Sequence, residues 1–456
     1  MAASRGGHPP PDRLRAGDRT VLATDRGPAP MNIAALLELD PGAHVSVADL
    51  TAALSSRIGR VPRLRQRLWK PRHGLSRWRA PVWVDDPRFG IDRQLEVVAG
   101  PDTADPCALL DLAAALATQR LPRDRPLWRA CIVQRSDGEA GALVIVLHHV
   151  VTDGLGGLAV LAALADRPAG ARRPAAQPLP PRPESHPPES HPYRAAGHRL
   201  VAGLRRGAAG LRELGLTGGG RPRLADRVWF VAPTGPRRRA AVAQRPLAQL
   251  VEIAHAWGGT VNDVVLTAVS GALLDLAAAA GDHPRELVIS VPISGRRSTT
   301  AGRLGNDTGV RPIAVPAVAD DGARLAAVVE RTRSRRGLPR ASSGVPLGLA
   351  FRVLARLGLF LPFIEHQRLV HTFQTNLRGP AAPVRLAGAA VTRIVPITVT
   401  PGNVAVHVAV LSYAGTMSIV VIADPDVLPE PQRVAEAMAM VVDRLSAALS
   451  PGVRPG

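Results

Sequence analysis

His148, His149, Asp153 and Gly154 stand together in the run HHVVTDG. Two imidazoles and a carboxylate at that spacing could hold a metal ion or move a proton at a hydroxyl group. The first use conflicts with strand geometry. Neighbouring side chains on a strand point to opposite faces, so both rings cannot reach one ion. A neutral imidazole beside a hydroxyl can take its proton, because its pKa lies near operating pH. Asp153 has two roles open to it: capping the helix that follows, or holding an arginine that fixes the turn and aims an imidazole. Gly154 is expected to permit that turn. The bland alternative is a core histidine bonded to backbone. Burying a His pair and an acid is costly without a use, however, so the run reads as functional.

The elements that must position these groups are written into the same stretch. Ala142 to Leu147 is uninterrupted apolar sequence rich in β-branched residues, which predicts a strand buried on both faces. Asp153-Gly154 signals a turn. From Leu155 the spacing of Leu158, Leu161 and Ala162 becomes helical. Further along, Thr260-x-x-Asp263 opens a buried helix with a capping-box start, after a helix over Pro246 to Gly259 that ends at glycines. Leu287 to Arg297 reads as a strand whose mouth carries Arg296 and Arg297, able to bind a phosphate or to pair with Asp153. Val404 to Asp424 alternates and turns at Ala414-Gly415, a hairpin. Met31 to Leu39 predicts an early strand, and Val47 to Ile58 an amphipathic helix. Arg63, Arg65 and Arg67 read as an exposed basic strand face.

A net charge of +20 carried almost wholly by arginine, with Lys70 the one lysine, points to anionic partners. Nucleic acid is a poor fit, because aromatic residues are only 3% of the 456 and no recognition motif is present. Cys107 and Cys131 form no disulfide framework, in keeping with a reducing cytoplasm. The N-terminus lacks the apolar core of a signal peptide. No clean eighteen-residue apolar run suggests a membrane span, and the nearest candidate, Leu357 to Ile364, is too short. Between Arg167 and Pro192 proline dominates, which predicts an extended linker. It is followed at Tyr193 to Leu216 by an amphipathic basic helix with Leu200, Leu204, Leu211 and Leu214 on one face. Anionic lipid binding through that helix, near Arg205 and Arg206, is expected.

The run His148 to Gly154 matches the HHxxxDG motif of the acyl-CoA-dependent acyltransferase superfamily, which includes chloramphenicol acetyltransferase and condensation domains. The chain most resembles the bacterial wax ester synthase/diacylglycerol acyltransferase family. Supporting blocks in the right order are VPRLRQRL, LPRDRPLW, Asn262-Asp263, LGNDTGVRPIAVP, TNLRGP from Thr375, and SYAG. Departures are Asn32 and Gln94, each where the family usually has histidine, and Thr375, where it has serine.

That resemblance implies an α/β fold of two chloramphenicol-acetyltransferase-like domains in pseudo-symmetric tandem about a central channel. The expected parts are a basic N-terminal segment (1–30), an N-terminal domain (31–166), the linker (167–192), the basic helix and connector (193–226) and a C-terminal domain (227–456). It implies direct acyl transfer from acyl-CoA to diacylglycerol or a long-chain alcohol, with His149 as general base, Asp153 structural, and His148 on the other side of the strand. Asn262, Asp263, Arg296, Thr375 and Asn376 are the candidate substrate-binding residues. No metal or cofactor is expected beyond acyl-CoA as co-substrate, and the absence of a G-x-S-x-G elbow favours direct transfer over an acyl-serine route. A peripheral place on the inner membrane face or on lipid inclusions follows from the substrates. Two other readings stay open: a condensation-like enzyme using another acyl donor or acceptor, and a catalytically silent lipid-surface protein. Oligomeric state is not legible.

Overall fold

The computed structural model describes residues 12–70, 80–101, 106–167, 224–295, 304–334, 343–398 and 402–449. The N-terminal half runs β1 (Asp12–Arg13), α1 (Ala16–Thr24), β2 (Asn32–Leu39), α2 (Val47–Arg57), β3 (Gln66–Trp69), β4 (Val82–Asp85), β5 (Leu95–Ala99), α3 (Pro106–Thr118), β6 (Trp128–Gln134), β7 (Ala140–His148) and α4 (Gly154–Leu164). The second half continues with β8 (Arg239–Pro246), α5 (Leu247–Ala256), α6 (Val261–Ala279), β9 (Glu286–Ser294), β10 (Thr308–Pro316), α7 (Asp321–Arg333), α8 (Gly344–Arg356) and α9 (Phe360–Glu365). It closes with β11 (Thr372–Arg378), β12 (Arg385–Leu386), β13 (Ala389–Thr398), β14 (Val406–Tyr413), β15 (Thr416–Ala423) and α10 (Pro431–Ala447).

Two six-stranded sheets organise these elements, in the orders β12-β13-β2-β7-β6-β5 and β10-β9-β11-β14-β15-β8. A small sheet, β1-β4-β3, stands apart from them. Helices α2, α3 and α4 supply Leu50, Leu54, Ala113, Ala114, Val160 and Leu164 to the core of the first sheet. Helices α6, α7 and α10 cover one face of the second sheet through Val265, Val269, Val328, Val434 and Met438. The other face of β14 and β15 packs toward the first half, where Ala409, Leu411, Val420 and Ile422 join its core. Being buried on both sides explains why these two strands read as nearly continuous apolar sequence. Their turn is a type I′ hairpin, with Ala414 at φ 47° and Gly415 at φ 81°, the hand that matches strand twist.

Three expectations change in the structure. First, 227–456 is not a self-contained domain, because β12 and β13 leave it and extend the first sheet. Strand β13 pairs antiparallel with β2 along Ile394↔Leu37 to Thr398↔Ile33, and Arg393 Nε reaches Glu38 Oε1 at 2.9 Å. Second, the N-terminal segment is built into the fold from Asp12 onward, and Asp18 and Asp25 are buried. Third, Arg63 and Arg65 lie on a one-turn helix rather than an exposed strand. The Arg63 guanidinium lies 4.3 Å over the Trp83 ring and bonds Asp12, so stacking and an ion pair take it out of solvent.

Helix α6 is long and apolar enough on average to cross a membrane, although Asp263 and Asp275 interrupt it. Every residue from Asp263 to Leu274 is buried, so it serves as the central core helix of the second half. The linker and the helix expected over Tyr193 to Leu216 lie outside the described residues.

Candidate active site

Strand β7 is buried along nearly its whole length and delivers His148 and His149 to its carboxyl end, opposite Asn32 of β2. The two rings diverge, as alternation requires. His148 is buried; its Nδ1 accepts the backbone N–H of Val150 at 3.0 Å. Its Nε2 must therefore carry the proton, which it donates to Asp25 Oδ2 at 3.2 Å. The Asp25 carboxylate also receives Met31 N–H at 3.1 Å and Arg123 Nη2 at 2.6 Å. Burial opposes its charge, but the His148 bond, the Met31 N–H and Arg123 together hold it far below the usual carboxylate range.

His149 turns the other way. Its Nδ1 lies 2.8 Å from Asn306 Oδ1. The Asn306 amide can face only one way, because its Nδ2 donates to the His149 carbonyl at 2.7 Å and to Asp18 Oδ1 at 3.0 Å, both acceptors. Asp18 is itself held by the backbone N–H groups of Asn306 and Arg15, at 2.7 and 2.9 Å. With Oδ1 toward the ring, His149 Nδ1 must be the protonated nitrogen, and Nε2 keeps its lone pair. Burial pushes the imidazole below its ordinary pKa of 6.5, against the opposing pull of its backbone, Asp153 and Asn306, which favours this neutral form.

Asp153 caps α4: its Oδ1 accepts Gly156 N–H at 3.0 Å. Its Oδ2 faces the strand-entry loop of the second half, 3.3 Å from Thr308 Oγ1 and 3.5 Å from Asp307 N. A parallel bridge from Thr152 to Gly305 fastens the same junction. The acid thus ties the helix that follows β7 to the loop that carries Asn306. Gly154 does not serve a left-handed turn, since no positive φ occurs there. Its missing side chain instead admits Leu377 of β11, whose methyl carbons would lie 3.3 Å from a Cβ at that position.

His149 and Gly154 line a cavity of about 110 Å³ between the two sheets, walled by Ile33, Leu147 and Pro396 on one side and Thr375, Leu377 and Leu411 on the other. The lining is almost wholly apolar, with Thr375 and Thr398 as the other polar side chains. An open cleft of about 400 Å³ beside Trp257 is larger, but none of the motif residues lines it.

Of the expected substrate residues, Thr375 is on the cavity, and its Oγ1 lies 3.4 Å from His407 Nε2. Burial pushes His407 down to about 3, so that ring is neutral. The next side chain along β11, Asn376, points away and donates to Asn262 Oδ1 at 3.3 Å. Asp263 is not a free binding group: its carboxylate accepts the Thr260 N–H and hydroxyl, both at 2.8 Å, in a capping box. Arg296 lies outside the described residues. Asn32 and Gln94 spend their amides on backbone carbonyls, Asn32 on Ala117 and Gln119 and Gln94 on Pro126, and neither lines the cavity.

Asp18, Asp25 and Asn306 were not singled out from the sequence. The first two sit in a stretch whose composition reads as a basic tail, and Asn306 lies within the block LGNDTGVRPIAVP. Among the described residues no three His, Cys, Asp or Glu side chains converge on one point.

Comparison with known proteins places this arrangement. Residues 14–265 match the model of the wax ester synthase/diacylglycerol acyltransferase catalytic domain, and residues 310–446 that of the family's C-terminal domain. A Mycobacterium tuberculosis protein named a probable diacylglycerol O-acyltransferase is 26% identical over 441 residues, covering 94% of this chain and 90% of its own. The wax ester synthase/diacylglycerol acyltransferase of Marinobacter aquaeolei VT8 has a similar structure, with TM-score 0.68 and 20% identity over 96% of this chain and 100% of that one. The condensation domain of the Monacolin K polyketide synthase MokA follows at TM-score 0.63, with 15% identity over 97% and 98% of the two chains. The α/β architecture expected of the acyltransferase superfamily is the one adopted. This chain belongs to the wax ester synthase/diacylglycerol acyltransferase family.

Proposed function

We propose that this protein is an O-acyltransferase that moves a long-chain acyl group from acyl-CoA to diacylglycerol or a long-chain alcohol, with His149 as general base. The observation that carries this reading is a neutral imidazole, fixed in one tautomer, on the wall of an apolar cavity. Nε2 removes the proton from the acceptor hydroxyl as its oxygen forms a bond to the thioester carbonyl carbon. The carbon–sulfur bond then breaks, and the imidazolium returns the proton to the departing thiolate. A thioester is electrophilic enough that a base and a donor for the developing oxyanion suffice. The Thr375 hydroxyl, on the opposite wall of the cavity, is the group we assign to that second task. Acyl-CoA enters as co-substrate, and the chemistry calls for no other cofactor and no metal.

The cavity is smaller than the roughly 300–1,000 Å³ typical of ligand pockets, so a long chain requires the two sheets to part along the β11–α4 contact. Because the acceptor is a lipid, the working place is a membrane or lipid-inclusion surface on the cytoplasmic side. Purified protein given labelled palmitoyl-CoA and a panel of diacylglycerols and long-chain alcohols should form the corresponding esters. Amide formation with an amine acceptor alone would favour the condensation-like reading, and no product with any acceptor would favour the silent one.

Asn306 tests the tautomer argument separately. Asn306→Ala removes the acceptor that holds the proton on Nδ1, so kcat should fall about 10- to 100-fold with little change in KM. An unchanged kcat would show that the Asn306–Asp18 pair does not set the state of His149.

A further inference from the structure

Helix α8 carries its apolar residues on the wrong side for a helix that only packs inward. Val345, Leu349 and Val353, at four-residue spacing, are 49, 59 and 48% exposed, and Leu357 and Leu359 just beyond the helix are 64 and 51% exposed. A helix on a water-facing surface places charged and polar groups there. This register is not loose. On the inner side Gly348 lies so close to α1 that a Cβ would sit 2.8 Å from Thr20 Oγ1. Arg352 bonds that same hydroxyl at 2.6 Å. Phe351 packs edge-on against Phe360 of α9 at 5.5 Å and against Phe363 at 6.1 Å. The outward stripe is therefore held in place by a packed underside.

Charge chooses among the possible occupants of this face. From Gly344 to Ile364 the charged residues are Arg352 and Arg356 alone. Helix α1 beside it adds Arg19, and Arg26 follows at its end, next to Gly27, which approaches Leu361 of α9. A second copy of the chain meeting this face by two-fold symmetry would set arginine against arginine over an acid-poor patch. An anionic bilayer instead supplies hydrocarbon for the leucines and phosphate for the guanidinium rim.

We propose that the face formed by Val345, Leu349, Val353, Leu357 and Leu359, rimmed by Arg19, Arg26 and Arg356, docks the protein on an anionic lipid surface. This rests on the reading of the protein as an acyltransferase with a lipid acceptor, and it names where that acceptor's surface is met. The place is apt. Helix α1 lies between the docking face and the site, touching α8 through Thr20 and Asn306 through Asp18. Ser343, at the start of α8, bonds both the N–H and the carbonyl of Val310 on β10, the strand that follows the Asn306 loop. Docking on α8 brings lipid within one helix of the base.

Co-sedimentation of the full chain with phosphatidylglycerol and phosphatidylcholine vesicles tests this. Wild type should bind the anionic vesicles, less so at high salt. Leu349→Glu/Val353→Glu should weaken that binding by about tenfold or more. The same variant should lose activity on vesicle-presented diacylglycerol while keeping wild-type rates with a detergent-dispersed alcohol. Vesicle binding unaffected by the double change would overturn the proposal. So would binding abolished by Arg205→Glu/Arg206→Glu alone, which would assign docking to the segment 193–216. A dimer of the wild type that this variant splits would mean that a second copy covers the face. Loss of activity with every acceptor, including in wild type, would sink the acyltransferase reading and leave the vesicle result standing by itself.

Discussion

His149→Ala is expected to lower acyl transfer by about 10²–10⁴-fold while the protein stays folded, the usual range for removing a general base. The ring contributes little to packing that alanine could not leave intact, because it faces the cavity rather than the core. The pH dependence supplies an independent check. The base works only when neutral, so the rate should fall on the acid side as His149 takes a proton. Since burial sets its pKa below 6.5, the midpoint of that acid limb should also lie below 6.5. Asn306→Ala should move this limb, because Asn306 opposes the downward shift. A His149→Ala enzyme of wild-type rate, or an acid limb above 6.5 in the wild type, would show that another group takes the proton.

Asp25→Ala should be the most destabilising single change near the site, at about 1–3 kcal/mol for each buried donor it leaves unsatisfied. Its carboxylate is 2% exposed and answers His148, Arg123 and the Met31 N–H at once. Without it the His148 Nε2–H is left buried with no acceptor. The measurement is a denaturant midpoint for Asp25→Ala, His148→Ala and the double variant. The double should cost less than the two singles added together. His148→Ala should lose stability more than rate, the opposite of His149→Ala. The pH sign follows from the depressed Asp25 value. Its stabilisation is fully present above the unfolded value of 3.8 and is lost as pH falls through the lower folded one. Acid unfolding of the wild type therefore has a component below about pH 4 that Asp25→Ala lacks. Additive singles would show that the pair does not act as a unit.

Much of the local structure was legible because it is encoded by neighbours in the chain. The apolar run of β7, the helical spacing of α4, the Thr260–Asp263 cap and the Ala414-Gly415 turn each depend on residues a few positions apart. The divergence of the two histidines followed from strand alternation alone. Resemblance across ordered blocks carried the reading from there to a family. The same local logic misplaced Arg63 and Gly154, whose roles are set by Trp83 and Leu377, residues distant in sequence. The resemblance assigned Asp263 to substrate, although the helix start that local spacing marks there makes its own demand on that carboxylate.

Tertiary structure decided what no spacing could express. The state of His149 depends on an amide 157 positions away, and that amide on a carboxylate another 288 positions from it in the chain. Side-chain hydrogen bonds across such separations leave no periodic trace, so Asp18 looked like one acid in a basic tail. The crossing of β13 into the first sheet had the same cause, since an alternating strand carries no record of which sheet it will join. The apolar spacing of α8 is equally suited to core and to surface, so it does not tell which way Val345, Leu349 and Val353 face. Only the packing of Gly348 against α1 and of Phe351 against α9 shows that the other apolar side faces outward. Neighbouring residues were enough to specify the strand–turn–helix that carries the histidines, and ordered blocks were enough to specify the family. Contacts between distant segments determined which imidazole meets the cavity, with which nitrogen bare, because only folding brings their partners within bonding distance.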